Sequence, residues 1–459
     1  MNATRAALCA AGDRVVLLDG EGRTRTGAQL VDRVDRLAGA LTERGLAGDR
    51  VGIWSANSLA TIEAHLAVEW IGGTRVPVDP NASPAEAART WEAAGVRGVL
   101  VDVERAQAAG PRALVHDDEF PASGPPRFPT PDIPPERTAL LYPRAVDGGR
   151  LLAVPISYAN WEATMAANTA LYRGGGYGPG FGPDEHFLTV QQVMHGTGLV
   201  GTFPFLRMGL PQTVLRRFNA DAVLEVIRAG TVTATMVVTT MLTRLLEAAA
   251  QRPGGLGALR RLLYGGAPLP PADLERAART FPDVLVQIYG RLEGGWPLTV
   301  LDQADHRAIA AGDRRRAGSC GRPVTELRLR PNGEVCARSD MVVAEYADPD
   351  GWCSLGDLGR LDGGYLHLEG RLDRMINTGY HVYPQEIESA IRRIPGVAEA
   401  LVRGEPDGDR GTAVVAHLVG RDGVRPDDLV EEVDSALRAA FAHYKVPRRY
   451  HVADRLPAT

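Results

Sequence analysis

Trp352-Cys353-Ser354-Leu355-Gly356-Asp357-Leu358-Gly359 is followed by Gly370-Arg371-Leu372-Asp373-Arg374, then by Gly379-Tyr380-His381-Val382-Tyr383-Pro384 and Glu386-Ile387-Glu388. The run sets a Gly-Asp, a Gly-Arg on the next strand and a helix opening on Pro-x-Glu-Ile-Glu in close succession. A carboxylate accepts hydrogen bonds and a guanidinium donates them, so Asp357 and Arg371 suit the two hydroxyls of a sugar. The chain before the run reads as one large body, and the chain after it as a small mobile one.

Upstream, strand and helix patterns alternate with short connections. Residues 27–44 carry Leu30, Val31, Val34, Leu37 and Leu41 at helical spacing. Residues 51–54, 72–78 and 99–103 read as strands, and 58–70 and 84–94 as helices. This order implies a mostly parallel sheet covered by helices on both faces. Residues 119–137, rich in proline, read as a surface crossing. Residues 138–142 start a strand whose turn is expected at 143–150. Further strands are expected at 187–190, 232–239, 262–269 and 284–290, and short strands dominate after Gly318. The last part predicts helices at 387–394 and 427–441 and strands at 398–403, 411–419 and 449–452. The fold class is therefore α/β: a large N-terminal domain of mostly parallel sheets with a small β sub-structure, then a small α+β domain.

The net charge of −5 gives no general attraction to nucleic acid or anionic membrane. The four cysteines form no CxxC pair, which reads as reduced thiols in a cytoplasmic protein. No apolar run of about 18 residues suggests a membrane span. The first residues lack the apolar core of a signal peptide.

Five motifs then fall in one order: Gly265-Gly266-Ala267-Pro268-Leu269; Tyr289-Gly290-Arg291-Leu292-Glu293; Gly356-Asp357; Gly370-Arg371; and the Gly379 to Glu388 segment. Together they resemble the adenylate-forming superfamily of acyl-CoA synthetases, peptide-synthetase adenylation domains and luciferases. The resemblance implies that a carboxylate attacks the α-phosphate of Mg-ATP, and that a thiol of CoA or of phosphopantetheine on an acyl carrier protein then attacks the acyl-AMP after the small domain rotates. It implies domains of 1–372 and 373–459 with Asp373 as hinge. By the same resemblance Gly265, Gly266, Ala267, Pro268, Tyr289 and Gly290 line the nucleotide, and Asp357 and Arg371 hold its ribose. Glu293 binds Mg²⁺ and is catalytic. His195 of Met194-His195-Gly196-Thr197-Gly198, with Gly198 and Gly265, borders the acyl pocket and is the second catalytic candidate. Each has a plain reading beside it: Glu293 as a solvated turn residue, Asp357 as a turn cap, the Gly265-Gly266 pair as a tight turn, His195 as a packed histidine.

The departures from that family bear on phosphate chemistry. Ser157-Tyr158-Ala159-Asn160 resembles the family's segment after the phosphate loop. The loop itself reads Pro143-Arg144-Ala145-Val146-Asp147-Gly148-Gly149-Arg150, without the hydroxyls and lysine. Pro143 lacks an N–H, and only Arg144 or Arg150 offers a substitute cation. Leu292 replaces a threonine and cannot donate. The resemblance also implies a Gly-Lys pair after Leu456-Pro457-Ala458-Thr459, and Lys445 belongs to the segment before it.

These readings converge on an AMP-forming acyl-CoA synthetase-like enzyme for a small carboxylic acid or acyl thioester, with adenylation weakened or lost. Two alternatives stay beside it: ATP-independent acyl transfer or cyclisation on a CoA or carrier-protein thioester, and a non-catalytic scaffold subunit.

Overall fold

The computed structural model describes residues 3–117, 128–129, 131–147, 150–267, 269–372, 375–408, 411–421 and 423–457. Pro268 and Asp373 lie outside these residues, as does most of the proline-rich crossing.

The expected alternation forms two sheets. The six-stranded sheet runs Ala113–Val115, Gly98–Val101, Arg50–Trp54, Thr74–Pro77, Thr138–Asp147 and Arg150–Ser157, parallel except for the last pair. The nine-stranded sheet has Phe187–Thr189, Ala234–Val238, Arg261–Gly265 and Leu285–Arg291 as its parallel centre. Strand Gly295–Leu301, which the sequence pattern did not indicate, returns antiparallel beside Leu285–Arg291. The helix Leu59–Trp70 is apolar over most of its surface and wholly buried, as a helix between two sheets must be. Four antiparallel strands, Glu326–Leu329, Glu334–Arg338, Cys353–Asp362 and Tyr365–Arg371, form the β sub-structure. Beyond them Ile376, Val382, Ile387, Val402, Val414 and Leu437 gather a core of their own around strands Val397–Pro406, Thr412–Gly420 and Arg449–Val452.

The motif at Ser157 begins a helix, Tyr158–Arg173. Ser157 Oγ accepts from Asn160 N at 3.1 Å, and Asn160 Oδ1 answers the Ser157 N–H, a capping box that satisfies two end donors. Tyr158 OH donates to Gly73 O at 2.8 Å, and Asn160 Nδ2 to Val342 O at 2.8 Å. The segment thus bolts the six-stranded sheet to the loop before the Cys353–Asp362 strand.

Of the turn expected at 143–150, residues 143–147 and 150 are strand instead, and 148–149 lie outside the described residues. Thr138–Asp147 and Arg150–Ser157 form a ladder that runs from Thr138↔Ser157 to Asp147↔Arg150. Pro143 is tolerated because the strand pairs with Thr74–Pro77 only at Leu140, so the missing N–H costs no bond on that side. The register shifts between Pro143 and Ala145, which makes Arg144 the extra residue of a β-bulge.

One buried group ties the fold to pH. His306, 3% exposed, lies within 2.6 Å of Asp302 O through Nδ1 and 2.9 Å of Tyr264 OH through Nε2. Burial pulls its imidazole down to about 4, against the Asp302 carbonyl and carboxylate, which pull it up. The unfolded chain therefore binds a proton that the native state refuses between about 6.5 and 4. This part of the stability is complete above the unfolded value and is lost as pH falls through that window, by about 3 kcal/mol. Thermal unfolding of His306→Gln is expected to show a shallower acid decline than the parent; parallel curves would contradict this.

Candidate active site

The site forms where three elements end close together: the strand Leu285–Arg291 with the turn after it, the β sub-structure, and the bulge of the Thr138–Asp147 strand. Asp357 and Arg371 are direct cross-strand partners, which explains why two motifs apart in sequence act as one. Arg371 Nη1 donates to Asp357 Oδ1 at 2.9 Å. Tyr289 OH donates to Asp357 Oδ2 at 2.6 Å, and Arg291 Nε stands 3.9 Å from the same oxygen. Asp357 is 4% exposed, so these partners rather than water hold its charge. A carboxylate has about four lone-pair sites, and ribose hydroxyls can share it with these donors.

Glu293, 7% exposed, pairs with Arg144 through Oε1. Arg291 Nη2 lies 3.8 Å from the same oxygen. Burial alone would raise the Glu293 carboxyl, but the Arg144 and Arg291 guanidiniums outweigh it and hold it below its ordinary value. Burial likewise works against the Arg144 charge, and the Glu293 carboxylate reverses that and raises its pKa. Leu292 turns away into the main core, 6% exposed, so the residue before Glu293 gives nothing to a phosphate.

His195 is the residue preceding the helix Gly196–Arg207. Its Nδ1 is 3.4 Å from Tyr142 OH and its Nε2 3.4 Å from Asp79 Oδ2, both at the edge of hydrogen-bond range. Burial would raise the Asp79 carboxyl, but the His195 imidazole outweighs it and holds it low. Trp296 lies between Gly196 and Gly290. A Cβ at Gly196 would meet its ring at 2.2 Å, and one at Gly290 at 2.0 Å. Both glycines are therefore required by the indole. Behind it is an apolar void of about 10 Å³, room for one water, lined by Leu140, Trp161, Leu199, Leu292 and Met341. Gly198 and Gly265 answer to backbone packing. A Cβ would meet Gln192 O at 2.1 Å in the first and Ile288 O at 2.4 Å in the second. Gly266 takes φ +89°, and Ala267 O accepts from Thr239 Oγ1 at 2.7 Å.

The small domain closes this region. Tyr380 stands 5.2 Å from the His195 ring and stacks on Tyr444 at 4.2 Å. Asn377 Nδ2 donates to Gly266 O at 2.7 Å. Arg144 lies over the Tyr383 ring at 5.6 Å. Lys445 Nζ bridges Glu86 Oε1 at 2.6 Å and Glu386 Oε2 at 3.1 Å, with all three side chains buried.

The structure thus joins Glu293, Asp357, Arg371, Tyr289 and Gly290 in one site, and sets His195 beside Tyr380. Sequence reasoning gave no role to Arg291, Asp79, Trp296 or Tyr444. Arg291 had a signal: Tyr289 and Arg291 are two apart on a strand and share a face. The nucleoside side fits a nucleotide. The metal side does not fit Mg²⁺ in this arrangement, since two guanidiniums already face the carboxylate expected to hold it. Among the described residues no three His, Cys, Asp or Glu side chains converge as a metal site. No helix among them is long and apolar enough to cross a membrane.

Residues 4–138 and 149–346 match the family described as AMP-binding enzyme, and residues 386–459 its C-terminal domain. The match leaves out 139–148, which takes in all but the first residue of the strand that carries the bulge. Among curated relatives, a feruloyl-CoA synthase of Amycolatopsis is 31% identical over 95% of this chain and 92% of its own length. The fatty acid–[acyl-carrier-protein] ligase ScoC of Streptomyces coeruleorubidus is 30% identical over 95% and 89%. The solved structure of the amide bond synthetase McbA from Marinactinospora thermotolerans superposes with a TM-score of 0.86 at 28% identity, covering 100% of this chain and 97% of its own.

Proposed function

The chain belongs to the AMP-binding enzyme family, and we propose that it is an acid–thiol ligase of the acyl-CoA synthetase kind whose acyl transfer outruns its adenylation. One observation carries the second half of that reading: the expected phosphate loop is a paired hairpin. A phosphate-cradling loop works through N–H groups that point at the anion. Here the ladder holds the strand from Thr138 to Asp147 extended, takes up about every other backbone group and leaves Arg144 out of register, and the hydroxyl and lysine side chains that would help are absent from the sequence. Losing such donors costs a few kcal/mol each at a developing phosphate charge.

In this reading ATP and a small carboxylic acid are the substrates. Asp357 and Arg371 hold the ribose, His195 and Trp296 border the acyl group, and the small domain turns about Asp373. The acceptor is a thiol, from CoA or from a phosphopantetheine on a carrier protein; relatives named for each stand at similar identity. A cytoplasmic setting, where these substrates occur, is part of the proposal. Incubation of the full natural chain with ATP, CoA and a panel of aryl and aliphatic acids is expected to yield acyl-CoA and AMP slowly. Formation of ADP instead, or equal product from an acyl thioester without nucleotide, would overturn the assignment.

A further inference from the structure

We propose that Arg144 takes the place of a metal ion at Glu293, so that this chain binds the phosphate of an adenosine 5′-phosphoester without Mg²⁺. The inference rests on the proposed nucleotide site and concerns its opposite side. Its ligand class is an adenosine monophosphate ester, AMP or an acyl-adenylate.

The bulge is the first support. Without it, Arg144 would stand in register and its side chain would follow the alternation of the strand. The register shift between Pro143 and Ala145 re-aims that one side chain. It brings the guanidinium onto Glu293. The hairpin thus delivers one cation to Glu293, beside the proposed nucleotide site.

Charge is the second. The described site holds two carboxylates, Glu293 and Asp357, and three guanidiniums, Arg144, Arg291 and Arg371, joined by ion pairs. The balance is +1. A divalent cation would enter against that sum, with two guanidiniums already on Glu293 Oε1 and only Oε2 left to it. The monoanionic phosphate of an acyl-adenylate would bring the balance to zero, and the largely dianionic phosphate of AMP would bring it to about −1. The strongest guanidinium contacts are charge-assisted, to carboxylate and phosphate oxygens.

Unmet hydrogen bonds are the third. Arg144 Nε and Glu293 Oε2 are buried with no hydrogen-bond partner among the described residues. Leaving a buried polar atom unmet is costly. Nε of Arg144 is a donor suited to a phosphate oxygen, while Glu293 keeps the other face of the guanidinium in place. Glu293 is then a positioning residue rather than a metal ligand.

Calorimetric titration tests this with adenosine and AMP as the two probes, in EDTA and in excess Mg²⁺. The parent is expected to bind AMP equally in both. Arg144→Met is expected to weaken AMP by about tenfold or more in EDTA, to leave adenosine binding unchanged, and to gain AMP affinity when Mg²⁺ is added, because Glu293 is then free for a cation. Adenosine binding also reports that the variant is folded, and Arg144→Lys, which keeps the charge but not the fork, is expected to fall between. AMP binding by the parent that rises tenfold with Mg²⁺, or an Arg144→Met variant with parental AMP affinity, overturns the proposal while the nucleotide reading stands. Failure of the parent to bind adenosine at all overturns both.

Discussion

Asp357→Ala is expected to lower AMP affinity by about a hundredfold or more and to lower stability measurably. Arg371 and Tyr289 both engage Asp357, at 2.9 and 2.6 Å, with Arg291 at 3.9 Å. Removing one partner of a buried charge pair costs about 3–5 kcal/mol, because the charge left behind stays desolvated. In the proposed reading the same substitution deletes the acceptor for both ribose hydroxyls. Binding and fold therefore suffer from one cause. Asp357→Asn separates the two. It keeps the shape and one acceptor oxygen but not the charge, so it is expected to recover much of the stability and little of the affinity. AMP titration with a parallel thermal melt reads both quantities. Parental affinity in a folded Asp357→Ala variant would remove this residue from the nucleotide site.

Lys445→Met is expected to slow acyl transfer by about a hundredfold while changing AMP affinity only slightly. Lys445 joins a carboxylate of the large body, Glu86, to one of the small domain, Glu386, and Glu86 Oε2 also accepts from Ala442 N at 2.7 Å. Burial works against the ammonium, but the Glu386 and Glu86 carboxylates outweigh it and raise its pKa. A raised lysine stabilises the docked form at every pH below its ordinary value near 10.5 and loses that contribution only as pH climbs through the higher folded value. No pH dependence from this group is expected near neutrality. Methionine leaves two buried carboxylates facing each other, which the docked pose cannot tolerate without about 3–5 kcal/mol. Undocking withdraws Asn377 and Tyr380 from Gly266 and His195, where the thiol half of the reaction would occur. Glu86→Gln in the Lys445→Met background removes one of the two charges and is expected to restore part of the rate, a coupling that independent sites would not show. Hydrogen exchange of the 377–383 segment should rise in the single variant and fall back in the double.

The pairing of Asp357 with Arg371, the proposed nucleoside side, was legible in the sequence because the two residues come in motifs whose spacing matches cross-strand pairing. Asp357 and Arg371 needed only two adjacent strands. The phosphate side was not. Pro143 in a short run reads as a break in pairing, and only the tertiary fact that the strand is paired on one side beyond Leu140 makes it harmless. A bulge cannot be read from one strand, since it is a mismatch with another, and so Arg144 was visible as a cation without an address. Glu293 stood out within its motif, but its partner lies on a different sheet. Lys445 was placed in its segment, yet its burial depends on Glu86, contributed by a helix near the other end of the chain. Helix boundaries shifted for a local reason: Pro384 and Pro426 sit at the first helical position, where a missing N–H costs nothing, so both helices begin earlier than the apolar pattern suggests.

In the proposed function the paired hairpin costs this chain its first half-reaction more than its second. Measuring the two separately on the full natural chain tests it most directly: acid-dependent exchange of labelled pyrophosphate into ATP against single-turnover thioester formation from a preformed acyl-adenylate and CoA. Exchange is expected to be slower than transfer by about a hundredfold. Exchange as fast as transfer would contradict the claim.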